Sequence, residues 1–285
     1  MGRLWIGTQG GGLNLFDPDE QTFIPIQTKT SLSGNLVNTI FSASDGSMWV
    51  GSDSGLDVFS PRELTAHHYF QIPPNSGRQG DETVNAIFED LSGILWIASN
   101  LGGVSKYNPA TQIFTRYEYR PGEQNTLSSS DISAICETAD QTLWVGTYNG
   151  GLNRINHATN TIATFRHNPD NPNSIADDDI RTLMEDRSGT LWIGTAQGGL
   201  DRYDPETRLF HHLTHTPGDP QSLSENQITA LYEDRFGVIW VGTYSTGLTR
   251  TYRRSPTSLT IPITSSVSAT TIFFPFTRIE RGNYG

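Results

Sequence analysis

Six tryptophans recur in step along the chain, at Trp5, Trp49, Trp96, Trp144, Trp192 and Trp240, with separations of 44, 47, 48, 48 and 48 residues. A period of this length restricts a chain to repeat architectures, in which each unit buries its apolar face against its neighbours. The clearest copies read Leu4-Trp5-Ile6-Gly7-Thr8, Leu143-Trp144-Val145-Gly146-Thr147 and Leu191-Trp192-Ile193-Gly194-Thr195. A Gly-Leu or Gly-Val pair follows at Gly12, Gly55, Gly103, Gly151, Gly199 and Gly247.

One unit can be read in order. Ile180 to Glu185 is a short apolar run, hence a strand, and Asp186-Arg187-Ser188-Gly189 is a turn. Thr190 to Thr195 is a second strand around Trp192, Gly199 to Tyr203 a third and Leu209 to Leu213 a fourth, with Asp204-Pro205 turning the chain before the last. Four antiparallel strands per unit, about six times over, predict an all-β fold: a β-propeller of four-stranded antiparallel blades across residues 1–253, incomplete or truncated at its ends. The first unit begins on its second strand. Residues 254–285 keep no repeat phasing and form an atypical tail, expected to be disordered or to supply a closing strand at Thr271 to Phe274. The tryptophans are expected to fill the gaps between blades as core.

Charge narrows the partners. Asp and Glu number 30 against 19 Lys and Arg, so neither nucleic acid nor an anionic membrane surface is an expected partner. No apolar run is long enough to span a membrane, and no signal peptide stands at the N-terminus. The lone Cys136 aligns with apolar residues of the first strand in other units, which makes it a buried filler. No Gly-rich phosphate loop opens a helix, and no cofactor is implied.

Positions that vary between otherwise similar units are free to specialise. They cluster in the loop after the Trp strand, at Gln9, Asp53, Asn100, Tyr148, Asn149, Gln197, Tyr244 and Ser245, and in the loop before the first strand, at Asn35, Asp131, Asp179 and Asn226. In a propeller both loops open on one face, so these residues form a polar rim. Amides and carboxylates there suit sugar hydroxyls, and a tyrosine ring suits a pyranose face. Ordinary solvated loop is the competing reading of each residue taken singly.

Three other groupings invite chemistry. His211, His212 and His215 lie on an outer strand and its exit, where alternating side chains diverge, so no metal site is expected. Asp177-Asp178-Asp179 lacks the glycine and distal glutamate of a calcium loop. The pairs Glu89-Asp90, Glu185-Asp186 and Glu233-Asp234 resemble glycosidase carboxylates, but their recurrence at one turn position marks them as turn caps, and no catalytic residue is assigned.

The phrase Glu185-Asp186-Arg187-Ser188-Gly189-Thr190-Leu191-Trp192, with Gly198-Gly199-Leu200 behind it, resembles the two-component regulator propeller repeat over about residues 1 to 250. That resemblance implies a periplasmic or otherwise extracytoplasmic sensor of a two-component signalling protein, as in hybrid histidine kinases, recognising an oligosaccharide or other small molecule. It also implies a homodimer as one arrangement. The family's usual seven blades and its output domains are not matched here, which suggests a fragment. A protein-interaction scaffold and a propeller lyase or glycosidase stay open beside the sensor, because propellers host all three.

Overall fold

The structure, a computed structural model, describes residues 4–26, 32–60, 65–69, 83–90, 92–100, 102–156 and 159–252. The expected tail over 254–285 lies outside them. The described residues form strands in six antiparallel sheets and contain no helix. Each sheet is a meander of consecutive strands, here called blades 1 to 6. Blade 1 has three described strands, Leu4–Thr8, Gly12–Asp17 and Thr22–Pro25, the first of them its Trp strand. Blades 2 to 5 have four strands each, and blade 6 has three described strands, Ile228–Glu233, Val238–Thr243 and Leu248–Tyr252. In blade 5 the strands are Ile180–Glu185, Leu191–Thr195, Leu200–Asp204 and Leu209–Leu213, each within a residue of its sequence-based expectation. The described chain forms two compact units, one up to Glu118 holding blades 1 to 3 and one from Tyr119 holding blades 4 to 6.

Within each unit the core lies between successive blades. One cluster joins Trp144 and Leu152 of blade 4 to Ile180, Leu191, Ile193 and Tyr203 of blade 5, and another joins Trp192 and Leu200 to Ile228, Ile239 and Val241 of blade 6. Trp49 and Leu56 pack on Val84, Leu95 and Tyr107 in the same way. The third-strand aromatic of the following blade meets the indole edge-on or tilted: Phe59 against Trp5, Tyr107 against Trp49 and Tyr203 against Trp144, with centroids 5.1, 5.7 and 5.0 Å apart. Trp49, Trp96, Trp144 and Trp192 are buried, whereas Trp5 and Trp240, in the two terminal blades, are half-buried.

This packing explains the recurring phrase. A Cβ on Gly146 would lie 2.6 Å from Ile180 Cγ2 of the next blade, and one on Gly194 would lie 2.7 Å from Ile228 Cγ2. Glycine is required there because a β-branched side chain presses on the Trp strand. The following threonine closes the hairpin, with Thr147 Oγ1 donating to Gly151 O at 2.7 Å and Thr195 Oγ1 to Gly199 O at 2.8 Å.

The Glu-Asp pairs are structural, as their recurrence predicts. Asp186 Oδ1 accepts the N–H groups of Ser188 and Thr190 across the turn, and its Oδ2 accepts the Trp192 indole N–H at 2.9 Å. Asp90 and Asp234 hold Trp96 and Trp240 identically. The neighbouring glutamate reaches back one blade: Glu185 accepts Ala139 N–H, Glu233 accepts Arg187 N–H and Glu89 accepts Ser44 N–H, at 2.7–3.0 Å. Cys136 is buried, and burial pushes its thiol up to about 12, which suits a filler and not a nucleophile.

Candidate functional site

The first strand of blades 2 to 6 carries a β-bulge next to its start. The register shifts fall at Asn38, Asn85, Ser133, Arg181 and Thr229, one residue after a buried Val or Ile. A bulge re-aims the side chain of its extra residue, and here that residue is always polar. Asn38 donates to Val84 O at 3.2 Å and Thr229 to Gly242 O at 3.3 Å. Arg181 is different. It is long and cationic, and it extends beside the loops at the end of blades 4 and 5.

There Arg181 Nη2 donates to Asp179 Oδ2 at 2.7 Å, and the guanidinium lies over the Tyr148 ring, 5.0 Å from its centroid. Asp131 completes the group. Burial and the charge of Asp179 push its carboxyl above the usual range, with Arg181 opposing. Burial likewise raises Asp179 and Tyr148 against the pull of Arg181. Asp131 Oδ1, Asp179 Oδ1, Arg181 Nε and Ser133 Oγ are shielded from solvent and have no hydrogen-bond partner among the described residues. The structure thus brings together three of the sequence candidates, Asp131, Tyr148 and Asp179, around an arginine that sequence reasoning missed. The available signal was a polar residue at the second position of each otherwise apolar first strand.

The remaining candidates are placed as follows. Tyr148 N–H donates to Asp131 O within blade 4, and Tyr244 N–H to Gln227 O within blade 6, both at 3.0 Å. Tyr244 is 70% exposed. Asn149 takes a positive φ of 58°, and its carbonyl accepts from Arg166. Gln197 is exposed, with its N–H on Asp177 Oδ2; the position matching Tyr148 in blade 5 is Ala196, whose N–H donates to Asp179 O. Gln9, Asp53 and Asn100 belong to the first unit. Gln9 bridges Leu36, Asp53 N–H donates to Leu36 O, and Thr83 joins Asp53 to Asn100 through its hydroxyl and carbonyl.

One correction concerns register. Asn35 and Asn226 do not match Asp131 and Asp179. They match Asp178, because Gly12, Gly151 and Gly199 donate to the carbonyls of Asn35, Asp178 and Asn226 respectively. The residue equivalent to Asp179 in blade 6 is Gln227. The phase is set by the buried residue that opens each first strand, Val37, Ile132, Ile180 and Ile228.

The acidic run Asp177-Asp178-Asp179 divides into three separate tasks. Asp177 accepts Gln197 and Asp179 N–H groups, Asp178 accepts His167 N–H and pairs with Arg166, and Asp179 pairs with Arg181. The histidines of blade 5 also part company. His212 donates through Nδ1 to Asp201 at 2.6 Å and through Nε2 to Pro172 O at 2.8 Å, while His215 meets Leu223 O. Among the described residues no three potential ligands converge on a metal position.

Ser33, His68 and Asp57 also come together, a grouping with the composition of a hydrolytic triad. Its geometry is wrong for proton relay, since hydroxyl and carboxylate meet the same ring nitrogen, Nδ1. The same positions carry Ser128, Thr164 and Asn153 in blade 4, and Ala176, His212 and Asp201 in blade 5. The fully buried third-strand residue ties down the segment that leads into its blade.

Four segments match the two component regulator propeller family: 31–54, 126–149, 174–197 and 222–245. No match is found among curated proteins. Among solved structures the chain is similar to the extracellular domain of a one component system from B. thetaiotaomicron, at 24% identity and a TM-score of 0.68, covering 87% of this chain and 33% of that one. It is similar to the extracellular domain of a hybrid two component system from the same organism, at 22% identity and a TM-score of 0.63, covering 87% and 38%. Virginiamycin B lyase from Staphylococcus aureus aligns at 16% identity and a TM-score of 0.63, covering 88% and 78%. The chain thus spans about a third of the length of the two B. thetaiotaomicron domains. At these identities the likeness concerns the fold.

Proposed function

We propose that this β-propeller, four segments of which match two-component regulator propeller repeats, is the recognition part of an extracytoplasmic sensor, and that it binds a small molecule or oligosaccharide at the rim of blades 4 to 6. The observation that carries this reading is the Arg181 group. Asp131 Oδ1, Asp179 Oδ1 and Arg181 Nε are shielded there without partners among the described residues, whereas most buried polar groups in proteins are hydrogen-bonded. A binding role needs no nucleophile or proton relay, and the Glu-Asp pairs that an enzyme would use are engaged in holding turns and neighbouring blades. No helix among the described residues is long and apolar enough to cross a membrane.

The test is a thermal-shift screen of the full chain against oligosaccharides and other small polar metabolites. A ligand that binds only the native state raises its melting temperature. Tyr148→Ala combined with Tyr244→Ala is expected to reduce that rise while leaving the unliganded melt cooperative. An undiminished rise in the double variant places recognition elsewhere, and a sharp melt that no compound shifts favours a protein-interaction scaffold.

A further inference from the structure

The blades serve as internal controls for one another, and they single out two sheet faces. A blade meets its successor through its far face. There the third-strand leucines Leu13, Leu56, Leu152 and Leu200 are buried, whereas Leu248, at the same position of blade 6, is 48% exposed. The Trp-strand glycine gives the same contrast. A Cβ on Gly7, Gly51, Gly146 or Gly194 would lie 2.5–2.7 Å from a Val or Ile of the next blade, but the atoms nearest to one on Gly242 belong to Ala230 of its own blade, 3.2 Å or more away. Tyr232 widens the patch. It lies opposite the half-buried Trp240 across the strands and is exposed, where its counterpart Met184 packs into the core between blades 5 and 6.

The near face of blade 1 shows the converse. The residue before the Trp is buried against the preceding blade at Met48, Leu95, Leu191 and Ile239, yet Leu4 is 44% exposed. The third-strand aromatics Phe59, Tyr107 and Tyr203 are buried against the preceding indole, but Phe16 is half-buried. Phe23 lies against Phe16 with centroids 5.1 Å apart and is 59% exposed, whereas its counterpart Phe210 in blade 5 is buried.

Blade 6 thus presents the Trp-and-leucine half of an inter-blade interface, and blade 1 presents the leucine-and-aromatic half. Exposed apolar patches of this kind mark interaction surfaces. The two halves differ, and each inter-blade core described above joins one of each kind. Two unlike, mutually complementary patches on one chain lead to head-to-tail association.

We propose that the far face of blade 6 docks on the near face of blade 1 in a second copy of this chain, so that copies associate head to tail. Leu248 and Leu4 are the central residues of the two sides. The contact is weaker than one between consecutive blades, because the described strands of blade 1 bring no Val or Ile to press on Gly242. The proposal is independent of the sensor reading.

The test is sedimentation velocity of the full chain over a range of concentrations, with Leu4→Glu and Leu248→Glu as separate variants. The unaltered chain is expected to gain mass with concentration. Each variant loses one side of the interface, and its self-association weakens about tenfold or more, as loss of a buried leucine implies. A mixture of the two variants restores a single contact, because the Leu248→Glu chain keeps blade 1 intact and the Leu4→Glu chain keeps blade 6 intact. That mixture therefore stops at a dimer. Serine in place of glutamate supplies a second pair of variants should urea unfolding show that either charge disturbs the fold. A chain that stays monomeric at every concentration overturns the proposal. So does self-association that survives one of the two substitutions, which marks a like-with-like contact through one face, and so does a mixture that remains monomeric.

Discussion

The two ends of a blade obey different rules. At the turn between the first and second strands, Asp90, Asp186 and Asp234 make the same bonds to the same kinds of partner, down to the indole N–H at 2.9–3.0 Å. At the other end, where the second strand turns into the third, the backbone bonds repeat but the side chains do not. Tyr148, Ala196 and Tyr244 each donate an N–H to the residue before the first strand, which is Asp131, Asp179 and Gln227 in turn. One end holds the blades together, and the other uses an equally regular backbone to display different chemistry. Repetition within this molecule therefore marks scaffold, and variation on a repeated backbone marks the place where function can be built.

The strongest way to break that comparison is at the indole. Trp192→Ala removes a buried ring between blades 5 and 6 and strands the carboxylate of Asp186. It should lower stability by about 3–5 kcal/mol in urea unfolding. A loss below about 1 kcal/mol would contradict a core built between blades. Next comes the cap itself. Asp186→Ala leaves two turn N–H groups and the indole N–H without their acceptor and should cost about 2–3 kcal/mol. Its hydrogen-bond donors, Ser188 and Trp192 foremost, outweigh burial and hold the Asp186 carboxyl below the usual range, so this contribution is present near neutrality and is lost as pH falls through the lowered value. Asp186→Thr sharpens the point. Blade 4 carries Thr138 there and holds its turn through Thr142 O and Asp140 instead. The threonine variant should lose less than the alanine one, and equal losses would show that the cap works only as an acceptor.

The scaffold was legible in the sequence because repeated contacts leave repeated residues. The Trp spacing, the Gly-Thr that follows and the Glu-Asp turn each correspond to an interaction made several times over, so strand limits in blade 5 could be placed within a residue. The rim was only partly legible. Tyr148, Asp131 and Asp179 stood out by varying, but Arg181 sits inside a strand pattern and looks like an exposed strand residue. What turns it toward the rim is the bulge, a backbone irregularity with no residue type of its own. His212 was legible only in part: strand alternation separates it from His211, but its pairing with Asp201 depends on cross-strand register, which residue types alone do not give.

That pairing provides a smaller effect with a definite pH signature. Both ring nitrogens of His212 face acceptors, Asp201 and Pro172 O, an arrangement that suits the protonated ring. Burial opposes the charge, but the Asp201 carboxylate prevails and raises the His212 value above its ordinary one. A value raised on folding stabilises most below the unfolded value near 6.5, and that stabilisation disappears as pH rises through the folded one. Replacing the pair by blade 4's combination, Asp201→Asn with His212→Thr, should remove this dependence. The native chain should gain on the variant by on the order of 1 kcal/mol toward pH 5.5 relative to pH 9, and parallel melting curves would show that the pair stays neutral.

The smallest expected effect decides whether the rim is functional or merely irregular. Arg181→Thr alone leaves Asp131 and Asp179 facing one another without the guanidinium and should destabilise by about 1 kcal/mol or less, since Arg181 is 35% exposed and its pairing is partly screened. Adding Asp179→Gln gives blade 5 the Gln–Thr combination that blade 6 carries at Gln227 and Thr229, and removes one of the two opposed carboxylates. The double variant should return to within about 0.5 kcal/mol of the native chain, or exceed it, by urea unfolding. Recovery would mean that the Asp–Arg pair contributes nothing the fold needs, which leaves recognition as the reason for a charged group held half out of water. A loss of 2 kcal/mol or more in the double variant would reclassify the Arg181 group as scaffold and erase the distinction between the two ends of the blade.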